Sequence, residues 1–93
     1  MYSEFYKMAV QITYSHHENW DGSGYPKGLS GNDIPLAARI VAIIGSFEKL
    51  ITPNYYRDGF TREEAAKKVI EGSGKYFDPD IICVFERIWK QLL

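Results

Sequence analysis

The chain has 93 residues, 45% hydrophobic and 15% aromatic, which suits one small folded domain and excludes a disordered segment. Eleven basic and twelve acidic residues leave a formal net charge of −1, so no basic field exists to hold nucleic acid. A single cysteine, Cys83, excludes an intrachain disulfide framework and fits a reducing, cytoplasmic setting.

Phe5, Met8, Ala9, Ile12 and His16 recur at helical spacing, which predicts a helix from about Ser3 to His17 with these residues on its inner face. Glu4, Lys7 and Gln11 interrupt any signal-peptide plan. No run approaches the ~18 apolar residues of a membrane span.

Asn19 to Pro35 carries four glycines and two prolines and reads as one long ordered loop, a length that often marks function. Leu36 to Ile51 is strongly apolar and reads as the central buried helix, with Arg39, Ser46 and Lys49 on its wetter side and Pro53 beyond its end.

Thr61-Arg62-Glu63-Glu64 is a capping box opening a third helix to about Glu71. Gly72 is placed to take a left-handed terminal turn. Asp78-Pro79 supplies an N-cap and a first-turn proline for a last helix, which turns Ile81, Ile82, Phe85, Ile88, Trp89 and Leu92 toward a partner surface. Cys83, inside the apolar run 81–85, is expected to be buried. No period-two pattern competes, so the fold class is all-α: about four helices and one elaborate loop in a single domain over 1–93.

The chemistry-bearing string is His16-His17-Glu18-Asn19-Trp20-Asp21-Gly22-Ser23-Gly24-Tyr25-Pro26. Two imidazoles at a helix end can ligate a metal, Glu18 can orient one of them, and glycines let a backbone approach a ligand closely. Two histidines fall short of the usual three or four protein ligands. On spacing alone, a helix end with solvated imidazoles therefore stands beside the metal reading. Trp20 can anchor the loop, Trp89 can cover the end of the core, and Lys67-Lys68 reads as a solvated face. Tyr55, Tyr56 and Phe60 suit packing of a loop better than stacking on a base.

The string resembles the HHExxDGxGYP signature of the HD-GYP family at every fixed position. Lys27 to Ile40 and Gly72 to Pro79 continue the resemblance, which runs from about Met8 to Phe85 and is similar to the C-terminal half of that domain. It implies hydrolysis of cyclic di-GMP at a two- or three-metal centre of iron, manganese or a similar divalent ion. By resemblance, His16 and His17 stand at metal-ligand positions. Gly24, Tyr25 and Pro26 line the nucleotide pocket, and Arg57 keeps a basic position of the phosphate grip.

Three departures weigh against catalysis. The paired His-Asp that names the family is missing, as are the helices that bear it. Gly45 stands where the family has a ligand aspartate, while Glu48 keeps a neighbouring carboxylate and Lys49 introduces a cation. Asn54 replaces a phosphate-gripping arginine. The chain is therefore expected not to hydrolyse cyclic di-GMP by itself, to bind metal weakly or not at all, and to self-associate. Two other roles follow from the same resemblance. One is an interaction module whose GYP loop meets a GGDEF-type protein; the other is a half-site completed by another chain, either an N-terminal half or a swapped copy.

Overall fold

The computed structural model describes residues 2–54 and 58–92. Four helices follow in order: α1 (Tyr2–Ser15), α2 (Leu36–Ile51), α3 (Arg62–Glu71) and α4 (Pro79–Ile88), with short 3-10 turns at Gly31–Asp33 and Trp89–Gln91. The fold is all-α, and none of these helices is long and apolar enough to cross a membrane.

Local signals place the helix ends. Thr61 accepts a hydrogen bond from the Glu64 N–H, and the Glu64 carboxylate accepts one from the Thr61 N–H, so the capping box forms as read. Asp78 accepts from the Asp80 N–H at 2.9 Å, and Pro79 opens α4. Gly72 departs from expectation. Its φ of −82° is not left-handed. It is glycine because a Cβ there would lie 2.9 Å from the Phe77 ring, and Gly74 takes the positive φ instead, at +82°.

The core joins three helices. Ile43 and Phe47 of α2, Ala65, Ala66 and Val69 of α3, and Ile82 and Phe85 of α4 are buried together. Phe47 meets Phe85 edge-on at 5.2 Å and Trp89 at 6.4 Å, so Trp89 does cover the end of the core. Full burial of each such phenyl ring contributes roughly 1.5–3 kcal/mol. Phe60 packs on the same cluster, with Lys68 Nζ 5.0 Å above its ring.

Four burial expectations are corrected. Cys83 is exposed: α4 buries Ile82 and Phe85, and Cys83, one residue on from Ile82, turns about 100° away. On α1, Phe5 and Met8 are 74% and 53% exposed; the half-buried face runs through Ala9 and Ile12 to the buried Ser15. Leu36 and Ile40 of α2 are exposed, so only one side of that helix is core. Arg39 is not a wet residue. Its guanidinium meets the buried Asp78 carboxylate at 2.6 Å.

Candidate functional site

α1 ends at Ser15, two residues earlier than the sequence suggested, and His16 and His17 form the turn that follows. His16 Nδ1 lies 3.1 Å from the Ile12 carbonyl oxygen and 2.9 Å from that of Thr13. Both partners only accept, so Nδ1 carries the proton and, in the neutral ring, the other nitrogen holds the free lone pair. The His16 and His17 rings lie 3.9 Å apart, and His17 stacks on Tyr25 at 4.9 Å with an interplanar angle of 18°. The turn therefore builds a column of three rings.

Glu18 fixes the loop beneath this column. It is buried, and its two carboxylate oxygens accept from the Lys27 N–H at 2.8 Å and the Leu29 N–H at 2.9 Å. It staples loop backbone and does not orient an imidazole, which corrects the expected role. The Asp21 carboxylate accepts from the Ser23 N–H at 2.9 Å, closing a local turn. These bonds from Ser23 hold the Asp21 carboxyl below its ordinary value of 3.8. Gly24 is required by close approach: a Cβ there would lie 2.3 Å from the His17 carbonyl oxygen. The loop then carries Tyr25 back beside His17, through a cis Tyr25–Pro26 peptide.

A second segment completes the wall. The Trp20 N–H donates to the Tyr76 carbonyl at 3.1 Å, and the Asp21 N–H donates to that of Lys75 at 2.9 Å. Arg39 holds the far side, donating to the Ile34 carbonyl at 2.9 Å, to Asn32 at 3.4 Å and to Asp78. Trp20 is half-buried in this junction and anchors the loop, as expected.

The resulting cleft, about 420 Å³, is lined by His16, His17, Asn19 and Tyr25 on one side and by Ser46, Tyr76 and Phe77 on the other. The size suits a small organic ligand. Two recesses adjoin it at Ser46. One, of about 300 Å³, holds His16, His17, Gly45 and Lys49; the other, of about 280 Å³, holds Lys49, Lys68 and Tyr76. The structure thus brings His16, His17 and Tyr25 together, with Gly24 and Pro26 in the loop that shapes the cleft. Arg57, Tyr55 and Tyr56 lie outside the described residues. Sequence reasoning missed Ser46 and Tyr76 as cleft residues; the only signal was that Ser46 lies one turn from Ala42 and Lys49 on α2.

The donor set does not fit a divalent metal centre by itself. No three His, Cys, Asp or Glu side chains among the described residues converge as metal ligands. Glu18 has both oxygens engaged by loop amides, and Gly45 offers no side chain. Two imidazoles leave most of a coordination shell unfilled.

Comparison with known proteins places the chain in a family. The sequence profile of the HD domain matches residues 1–81. The chain is 45% identical over 78 residues to a probable cyclic di-GMP phosphodiesterase of Vibrio cholerae, covering 84% of this chain and 18% of that protein. It is 40% identical over 83 residues to a cyclic di-GMP phosphodiesterase of the same organism, covering 89% and 17%. A cyclic di-GMP phosphodiesterase of Thermotoga maritima is 34% identical over 90 residues, covering 97% and 24%. The crystal structure of a cyclic GMP-AMP-specific phosphodiesterase of Vibrio cholerae superposes with a TM-score of 0.77 at 28% identity, over 90% of this chain and 19% of that one. The chain spans about a fifth of the length of the curated relatives it matches. On the profile match, the HHExxDGxGYP string of residues 16–26 and the shared all-α fold, the chain belongs to the HD domain family, in its HD-GYP branch.

Proposed function

We propose that this chain forms the nucleotide-facing part of a cyclic di-GMP phosphodiesterase-type site and does not hydrolyse the dinucleotide by itself. The observation that carries the reading is the cleft itself. The ring column of His16, His17 and Tyr25 faces Ser46, Tyr76 and Phe77 across a space of about 420 Å³. Tyr25 is 62% exposed and presents a free aromatic face to a base. Gly24 and Pro26 set the approach of that ring, and Arg57 would add a cation. His16 and His17 are ligand positions that lack the carboxylates of a two-metal centre.

The test is incubation of the purified chain with cyclic di-GMP and manganese or iron(II), followed by chromatographic separation of the nucleotides. No linear product is expected. Turnover that disappears in His16→Ala would overturn the reading.

A second reading, in which another chain completes the site, rests on the exposed apolar face of α1. Phe5 and Tyr6 there are 74% and 71% exposed, a surface suited to covering by further helices. Titrating a separately produced HD-bearing half into the assay should then restore turnover.

A further inference from the structure

Around Ser46 the charges run opposite to those of a metal centre. The polar lining of the central cleft and its two recesses includes two lysines, two histidines and the hydroxyls of Ser46, Tyr25 and Tyr76. Glu18 is the one carboxylate among the lining residues, and both its oxygens accept from loop amides. Ser46 and Lys49 lie three positions apart on α2 and so share a face. Both line the recess that also holds His16 and His17. Neither makes a side-chain hydrogen bond or ion pair with the described residues. Lys68 enters the neighbouring recess from α3. With Gly45 offering no side chain and Lys49 an ammonium at the recess wall, the cleft favours an anion over a cation.

We propose that this cleft holds the phosphodiester of a cyclic dinucleotide directly, through the Lys49 ammonium and the Ser46 hydroxyl of α2, without a metal ion between them. A charge-assisted hydrogen bond from Lys49 replaces the Lewis acid as the group that neutralises the phosphate. Lys68 strengthens the field from the far wall. This rests on the reading that the cleft faces a cyclic dinucleotide, and it turns the site from a hydrolytic centre into a binding one.

Calorimetric titration of the full chain with cyclic di-GMP, in EDTA and again in manganese, tests it. Binding is expected in EDTA, weakened by added salt and displaced by inorganic phosphate but not by guanosine. Lys49→Met keeps the apolar stem and should weaken binding about tenfold, the worth of one charge-assisted hydrogen bond. Arg87→Met, on the exposed side of α4 away from the cleft, should leave binding unchanged. Gly45→Asp has room, since a Cβ there meets nothing within 4 Å. Its carboxylate should weaken dinucleotide binding in EDTA while helicity by circular dichroism stays the same. Binding that requires manganese and survives Lys49→Met overturns the proposal and leaves the nucleotide-site reading standing. Binding in EDTA that Lys49→Met does not change, or that guanosine alone displaces, overturns it as well. No binding in either buffer overturns both.

Discussion

Glu18 does at the residue scale what a short peptide could not. A loop of glycines and prolines has many shapes, and a buried carboxylate with an N–H on each oxygen selects one. Glu18→Gln replaces one acceptor by an NH₂ that faces a donor, so the loop should lose about 1.5–3 kcal/mol of local stability. Hydrogen exchange at the Lys27 and Leu29 amides reads this directly. They should exchange faster while amides within α2 and α3 keep their protection; unchanged protection at 27 and 29 would refute the staple. A pH effect arises from two other carboxyls. Hydrogen bonds from Ser23 hold Asp21 below its ordinary 3.8, and hydrogen bonds from Thr61 hold Glu64 below its ordinary 4.5. A carboxyl lowered by folding adds stability that is whole above its unfolded value and is lost as pH falls through its folded one. The midpoint of thermal unfolding should therefore be level near neutrality and fall as the solution is acidified past those two values. Because both groups are fully exposed, the fall is small and screened by salt. The double variant Asp21→Asn, Glu64→Gln should show a flatter acid limb; an identical acid limb would remove these groups from the account.

Arg39 and Asp78 join elements that the sequence separates by 39 residues. Asp78 caps α4 with one oxygen and takes the Arg39 guanidinium with the other, while Arg39 also holds the Ile34 carbonyl of the loop. The pair thus ties α2, α4 and the GYP loop at one point, behind the cleft wall of Tyr76 and Phe77. Removing one partner strands a buried charge, which costs about 3–5 kcal/mol. Arg39→Ala should lower the urea midpoint by a matching amount and loosen the loop as well as α4. A change below about 1 kcal/mol would reclassify the pair as an ordinary surface bridge. Arg62 does related work at the other end of α4, donating to the carbonyls of Trp89, Lys90 and Leu92. Its charge sits at a helix C-terminus, where cations are favoured.

The whole molecule has more open surface than a core of this size needs. Its radius of gyration is 13.7 Å, against about 12 Å for a compact chain of this length. Much of the exposed apolar surface lies on α1, and a further part lines a trough of about 380 Å³ between α2 and α4, where Ile40, Ile44, Ile81, Val84 and Ile88 meet. Apolar patches of this kind drive association. Light scattering of the isolated chain should show a mass that rises with protein concentration, and Val84→Lys should lower it. A monomer at every concentration would contradict the prediction.

The sequence by itself determined where the helices run and which residues could meet at a site. Caps, prolines and helical periods act within a few residues, so the bounds of α2, the capping box of α3 and the Asp78-Pro79 start of α4 were legible from neighbouring side chains alone. The HHExxDGxGYP string likewise pointed to His16, His17 and Tyr25. Burial and partnership were not legible, because they depend on which element arrives on which face. An apolar run did not bury Cys83, helical spacing did not bury Phe5 or Met8, and a charge on an apolar helix did not leave Arg39 in water. Only tertiary packing gave Glu18 two amides, gave Arg39 an aspartate 39 residues away, and set Ser46 and Lys49 beside the histidines. Each of those outcomes needs the chain to close on itself, and no local rule carries that information.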